Sequence, residues 1–282
     1  MTLPVPAEVL KPLILRAIEE DVGQGGDLTS LATVPADKIA VAALNSRQAG
    51  TLAGIEVAAL VFKTISDLIK VSTDLKDGAA FIPNTTLLTA SGPAQSLLTA
   101  ERTALNILSH MTGIASATKE LVSVIDGTGV HLAATRKTLP GLRLLQKYAV
   151  RCGGGMTHRM SLSDAVMIKD NHIIAAGGIS SAVNKARAYA GHTVKIEVEV
   201  DTISQLEELL PLRPDIVLLD NMSTDDLKRA VDLAKGVILL EASGGVTATT
   251  IRGIAETGVD LISVGALTHS MKAVDIGMEL SL

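Results

Sequence analysis

A chain of 282 residues, 47% of them apolar, is long enough for a barrel with an accessory domain and supplies a large core. Trp is absent and only two Phe and two Tyr occur, so packing falls to aliphatic side chains and base stacking on nucleic acid is disfavoured. The net charge of −5 offers no basic field to nucleic acid or membrane, the single Cys152 forms no internal disulfide, and neither a secretory leader nor a run near the roughly 20 apolar residues of a membrane span appears, so a soluble cytoplasmic protein is expected.

In chain order, Ile39–Ser46 reads as a strand and residues 54–68 as an amphipathic helix opened by Gly54. Runs at 69–72 and 85–91 read as further strands, with an Asp77-Gly78 turn between them. A Gly92-Pro93 break then releases a helix carrying Leu97, Leu98, Leu105, Ile107 and Leu108. This mixture predicts an α+β accessory domain up to about residue 112.

The rhythm then becomes regular. Apolar runs begin near Val130, Ala165, Val194, Asp215, Val237 and Leu261, at spacings of 35, 29, 21, 22 and 24 residues, the length of successive β-α units. A mostly parallel sheet closed into a barrel is the simplest expectation, with a doubly wound open sheet as the alternative. The six runs lead into Arg136-Lys137, Lys169-Asp170, Glu199-Val200-Asp201, Asp220-Asn221, residues 241–245 and Gly265. In such barrels the carboxyl ends of the strands form one rim, where ligands bind.

Residues 130–169 carry seven Lys or Arg and one acid, Asp164, a local charge of +6 in a chain of net −5. Arg143, Lys147 and Arg151 fall at helical spacing and read as a solvated helix face. Arg136, Lys137, Arg159 and Lys169 stand at strand ends and in loops, where grouped cations call for a ligand with several negative charges. Gly153-Gly154-Gly155, leading to Met156-Thr157-His158-Arg159, reads as backbone that could approach such a ligand or adopt positive φ. Ser243-Gly244-Gly245, ahead of a helix expected from about Thr247, reads as a phosphate cradle that Gly265-Ala266 could complete.

Glu199 and Asp220, on neighbouring strand ends, either pair with Lys137 or Lys169 or face sugar hydroxyls and a magnesium ion. Glu197 should share the strand face of Glu199, one layer deeper. His110, His131, His192 and His269 are isolated, and His172 could support Lys169. No zinc-ligand spacing, Walker A loop or dinucleotide fingerprint occurs.

Residues 134–143, 147–155, His158-Arg159-Met160 and 168–172 resemble quinolinate phosphoribosyltransferases, as do Glu20-Asp21-Val22-Gly23, Gly26-Asp27-Leu28-Thr29, 101–106 and 263–267. The resemblance implies a type II phosphoribosyltransferase: an N-terminal α/β sandwich over 1–112, joined by the tail 270–282, and an incomplete, seven-stranded α/β-barrel over 113–269. It implies transfer of the phosphoribosyl group of phosphoribosyl diphosphate to quinolinate, with decarboxylation, in a homodimer where Arg102 completes the partner's site. Arg136, His158, Arg159 and Lys169 would then hold the carboxylates of quinolinate beside Thr135. Lys137 and Lys169 would reach the diphosphate, with Glu199 and Asp220 near the ribose hydroxyls and magnesium; Lys137, Glu199 and Asp220 form the implied catalytic set. Ser243-Gly244-Gly245 and Val264-Gly265-Ala266 would cradle the 5-phosphate. Met156-Thr157 depart from the more polar residues of many relatives, so their side chains are not expected to be essential. Rival readings are a Schiff-base aldolase using Lys137 or Lys169, and a non-catalytic or molybdenum-associated paralogue.

Overall fold

The computed structural model describes residues 5–234 and 236–282. These form two compact units, one containing the described residues up to Lys119 with Leu139–Gly154 and Ser270–Leu282, the other Glu120–Thr138 with Gly155–His269.

The first unit holds α1 (Ala7–Val22), α2 (Leu28–Thr33), β1 (Ile39–Ser46), β2 (Gly50–Thr51), α3 (Ile55–Ile65), β3 (Lys70–Ser72), β4 (Ala80–Phe81) and β5 (Thr86–Pro93), followed by α4 (Ala94–Val124). The C-terminal strand Ile276–Ser281, β1, β5 and β3 form an antiparallel sheet in that order. Along β1, Ala40, Ala42, Leu44 and Ser46 are buried in strict alternation, the pattern of a strand with one covered face. Gly54 opens α3 with φ near +94°, and the first helical amide, of Ile55, is satisfied by Asp77 Oδ1 at 3.0 Å. The expected Gly92-Pro93 break is not a loop. Both residues stay in β5, because Pro93 pairs at the sheet end and α4 begins at the next residue.

Helix α5 (Arg143–Cys152) clusters with this first unit. Its three cations do not share a solvated face: Arg151 is exposed and Arg143 half-buried, but Lys147 is only 1% exposed. Every residue from Leu145 to Val150 is buried, so a four-residue spacing carries no surface information here. Tyr148 donates its hydroxyl to Asp77 Oδ2 at 2.7 Å, and Gln146 Oε1 accepts the Leu139 amide at 2.9 Å. Gly153 ends the helix where a Cβ would lie 2.4 Å from the Ala115 carbonyl oxygen and 2.6 Å from Thr118 Cβ. The start of the glycine run therefore permits packing against α4, and Gly154, with φ near +91°, makes the turn that follows.

The second unit carries strands β6 (His131–Ala134), β7 (Met156–Thr157), β8 (Val166–Ile168), β9 (Ile196–Val200), β10 (Ile216–Asp220), β11 (Leu239–Ser243) and β12 (Leu261–Ser263). They form one parallel sheet in the order β7-β6-β12-β11-β10-β9-β8. The last strand closes back on the first, and the link between β7 and β8 stays open, which is an incomplete seven-stranded barrel. The six strands read from sequence begin within two residues of those observed. The seventh, β7, is two residues long and too short to leave a period. Helices α6 (Asp170–Ala176), α7 (Ile179–Tyr189), α8 (Ile203–Leu209), α9 (Thr224–Ala234) and α10 (Ile251–Ala255) connect these strands, and α11 (Ala266–His269) follows β12. Helix α10 starts at Ile251, not near Thr247: Thr247 and Thr250 exchange amide-to-hydroxyl hydrogen bonds of 2.9 and 3.2 Å, closing a turn instead. Among the described residues no helix is long and apolar enough to cross a membrane.

Candidate active site

A cavity of about 360 Å³ opens among the carboxyl ends of the seven strands. Thr135, Arg136 and Lys137 enter it after β6, and His158 and Arg159 after β7. Met167 and Lys169 come from β8 and its end, Glu199 from β9, and Leu218 and Asp220 from β10. Glu241 and Ser243 of β11 and Ser263 of β12 complete the wall.

Strand alternation sets the depth of each acid. On β9, Ile196, Val198 and Val200 face one way, leaving Glu197 and Glu199 on the other. Leu218 pairs in register with Glu199 on one side and Glu241 on the other. Glu199 lines the cavity and forms an ion pair with Lys169. Glu197 is 1% exposed and sits deeper, its Oε2 2.7 Å from His158 Nε2. Glu199 is thus the rim acid of the two.

His158 is engaged through both ring nitrogens. Nδ1 accepts the Arg159 backbone amide at 2.8 Å, so the hydrogen-bond network assigns the proton to Nε2, which donates to Glu197. Glu241 Oε2 lies 3.9 Å from the same Nε2. Burial, and then the charge of Glu197, push the Glu241 carboxyl up to about 7, against the pull of His158.

The cations are held by local contacts. Arg159 donates through Nη1 to the Ala165 carbonyl at 3.1 Å and through Nη2 to Met167 Sδ at 3.3 Å. Burial first, and the charge of Arg136 second, hold its guanidinium below the ordinary arginine range, opposed by Glu197 and Asp164. Arg136 Nε is buried without a hydrogen-bond partner. The Lys137 amide donates to Thr135 Oγ1 at 3.1 Å, and its carbonyl accepts from Thr268 Oγ1 at 2.7 Å. Lys169 precedes α6, and His172 Nδ1 accepts its backbone amide at 3.0 Å, the supporting position expected for that histidine. Two guanidiniums in one small cavity repel each other until an anion bridges them.

The glycines act by close approach. A Cβ on Gly265 would lie 2.8 Å from Lys137 Cδ and 3.4 Å from Thr135 Oγ1. A Cβ on Gly244, whose φ is near +93°, would lie 2.1 Å from Asn221 Oδ1. Asn221 itself has φ near +53° and donates through Nδ2 to Asp220 Oδ2 at 2.7 Å, linking the ends of β10 and β11. Gly244, Gly245, Val264, Gly265 and Ala266 do not line the cavity; Val264 is buried and Ala266 begins α11. Arg102 stands on α4, its side chain 62% exposed and 3.9 Å from Glu101.

Ser263, Met167 and Leu218 line the cavity without having been singled out from sequence, and Glu241, which also lines it, was read only as part of the strand end 241–245. The period-2 rule that placed Glu197 below Glu199 also places Glu241 below Ser243, and was not applied there. For a divalent ion, Glu199 and Asp220 supply carboxylate oxygens of the kind magnesium takes. Two carboxylates leave most of an octahedral shell to a polyphosphate and water, which suits an ion that arrives with its substrate.

A family model described as quinolinate phosphoribosyl transferase, C-terminal domain, matches residues 114–279, and its N-terminal companion matches 27–112. The nicotinate-nucleotide pyrophosphorylase (carboxylating) of Mycobacterium leprae is 43% identical over 278 residues, covering 97% of this chain and 98% of that one. A probable enzyme of the same name from Bacillus subtilis is 40% identical over 273 residues, covering 97% and 94%. The solved structure of the Francisella tularensis nicotinate-nucleotide pyrophosphorylase is 39% identical, with a TM-score of 0.94 and 98% of both chains covered. That from Ehrlichia chaffeensis is 40% identical, with a TM-score of 0.92 and coverage of 96% and 98%.

Proposed function

The chain belongs to the quinolinate phosphoribosyltransferase family, and from that premise we propose how its residues divide the family's reaction. The reaction joins quinolinate to the phosphoribosyl group of phosphoribosyl diphosphate, releasing diphosphate and CO2 and leaving nicotinate mononucleotide. The observation that carries the assignment is the cationic end of the cavity, where a buried Arg136 Nε without a partner and a charge-crowded Arg159 call for an anion.

Arg136, Arg159 and Lys169 hold the two carboxylates of quinolinate. His158 fixes the Arg159 backbone from beneath through its Nδ1 contact. Lys137 meets the diphosphate, and Gly265 leaves the space its side chain occupies. The pyridine nitrogen attacks the anomeric carbon as diphosphate leaves, and positive charge grows on the ribose. Glu199 and Asp220 face that charge and stabilise it; groups preorganised in this way act without reorganisation at the moment of reaction. Glu199 and Asp220 would hold magnesium arriving with the diphosphate, which would supply charge neutralisation on the leaving group. Ser243 at the cavity wall, with the backbone of Gly244, Gly245, Val264, Gly265 and Ala266 beyond its lining, receives the 5-phosphate. The reaction runs in the cytoplasm, in a homodimer where each subunit lends Arg102 to the other.

The test is purified protein with quinolinate, phosphoribosyl diphosphate and magnesium, followed as nicotinate mononucleotide. Turnover is expected in the wild type, falling by roughly 10²–10³ in Lys137→Ala. No turnover in the wild type overturns the assignment.

A further inference from the structure

The reaction proposed above ends with a proton reaching the pyridine carbon that has lost its carboxylate, and, resting on that reading, we propose that the Glu241 carboxyl delivers it.

Glu241 is the acid at the cavity's floor. It is 2% exposed and lines the cavity from β11 one layer below Ser243; among the described residues its Oε1 meets no partner at hydrogen-bond geometry, and the neighbouring Ser263 hydroxyl draws the carboxyl down against its burial. One oxygen of Glu241, one of Glu197 and the His158 ring nitrogen all lie within 4.8 Å of one another. That buried cluster holds a single donor proton from the imidazole, because His158 Nδ1 is occupied as an acceptor of the Arg159 amide. The Nε2 proton goes to Glu197 at 2.7 Å, against 3.9 Å to Glu241. Two buried carboxylates this close do not both stay ionised, and the one without the imidazole proton keeps its own. The direction found for Glu241, raised to about 7, agrees with this proton count.

The other groups facing the cavity are poorer donors. Arg136 from β6 and Arg159 from β7 are too weakly acidic to release protons. Lys169, after β8, is paired with Glu199 of β9, and Asp220 of β10 accepts from the Asn221 amide. Lys137 is exposed at the rim, and Ser263 of β12 offers only a hydroxyl. Glu241 combines depth, contact with the cavity and a carboxyl raised by burial beside a second carboxylate.

The step balances without a further reactant. The bond between the ring carbon and its carboxylate breaks, CO2 leaves, and the electron pair stays on that carbon beside the cationic ring nitrogen. The Glu241 proton moves to this pair and forms the new C–H bond. Glu241 is left as a carboxylate and recovers a proton from water before the next turnover.

Glu241→Gln keeps the volume and neutrality of the protonated acid but has no proton to give. In single turnovers we expect diphosphate release to persist, quinolinate mononucleotide to accumulate, and nicotinate mononucleotide formation to fall by roughly 10²–10⁴. Glu241→Asp should recover part of that loss. In the wild type, formation of nicotinate mononucleotide should decline as pH rises through about 7, since the acid must be protonated, and E241Q should lack this limb. The proposal is overturned by E241Q forming nicotinate mononucleotide at the wild-type rate. It is equally overturned by parallel loss of diphosphate and nicotinate mononucleotide that E241D does not relieve, which would make Glu241 a support of binding or fold. Should E241Q fail to fold, a wild-type profile without the falling limb overturns it. A wild type inactive on quinolinate refutes the family reaction instead, so the two failures are distinct.

Discussion

Replacing quinolinate by nicotinate removes one carboxylate from the acceptor, and with it the decarboxylation and the protonation that follows, while leaving the phosphoribosyl transfer itself in place. On the proposed reading that carboxylate answers a guanidinium: among the described residues Arg136 Nε is buried without a partner, and Arg159 is pressed by burial and then by the charge of Arg136. A monocarboxylate can neutralise one of the two. Removing one partner of a fully buried, hydrogen-bonded charge pair costs about 2–5 kcal/mol. Both arginines are half-buried, so water screens them, and about half of that range applies, roughly 1–2.5 kcal/mol. At about 1.4 kcal/mol per decade this is a preference for quinolinate of about 5- to 70-fold in kcat/KM. The assay compares the two acceptors at one concentration of phosphoribosyl diphosphate, following the shared product. Arg136→Lys, which keeps the charge but loses the planar fork, should narrow the ratio. Equal kcat/KM for the two acids refutes the claim that the paired arginines read the second carboxylate.

Gly265→Ala should push Lys137 out of position, since the new Cβ would lie 2.8 Å from Lys137 Cδ; kcat/KM should fall by roughly 10² while the urea midpoint stays near wild type, as measured by steady-state kinetics and denaturation. Arg102→Ala and Lys137→Ala should each be inactive alone, yet dimers reassembled from equal amounts should regain about a quarter of wild-type activity; no recovery on mixing argues that Arg102 serves its own subunit. His110, depressed by burial and 2.9 Å from Gln146 Nε2, is neutral in the fold, so its contribution to stability is present above pH 6.5 and is lost as pH falls. Urea midpoints between pH 7.5 and 5.5 should therefore slope downwards in the wild type and flatten in His110→Gln.

The barrel was legible because its strands are short apolar runs at β-α spacing, and a run of Val, Ile and Leu needs no tertiary context to be seen. Strand β7 was not legible: two residues, Met156 and Thr157, form it only by pairing with β6. Lys147 shows the same limit on a helix, since its spacing from Arg143 and Arg151 suggested a surface that packing then covered. The glycine run was read as backbone that approaches a ligand or adopts positive φ; Gly154 does the second, while the room at Gly153 is taken by Ala115 and Thr118 of α4. A glycine states that a Cβ is unwelcome and is silent about what stands in its place. The rim residues Arg136, Lys137, Lys169, Glu199 and Asp220 were found because a strand's end can be read from the strand, and all five line the cavity.

Depth, which the strand period ranked on β9 but which was not read on β11, separates the acids of this site into two kinds. On β9 two glutamates stand two residues apart on one face, and the upper one meets the ammonium of Lys169 while the lower meets an imidazole whose other nitrogen is already occupied. On β11 the upper position is a serine and the lower a glutamate, Glu241, which has no cation of its own within hydrogen-bonding reach. A carboxylate matched to an ammonium at the rim can oppose positive charge as it grows on a sugar. A carboxyl enclosed beside another carboxylate, with one imidazole proton between them, is better kept neutral, and a neutral acid can protonate what a carboxylate only attracts. On the reading proposed above, the two-residue period of a strand sets one residue type to opposite tasks at two levels of one cavity, charge stabilisation above and proton delivery below.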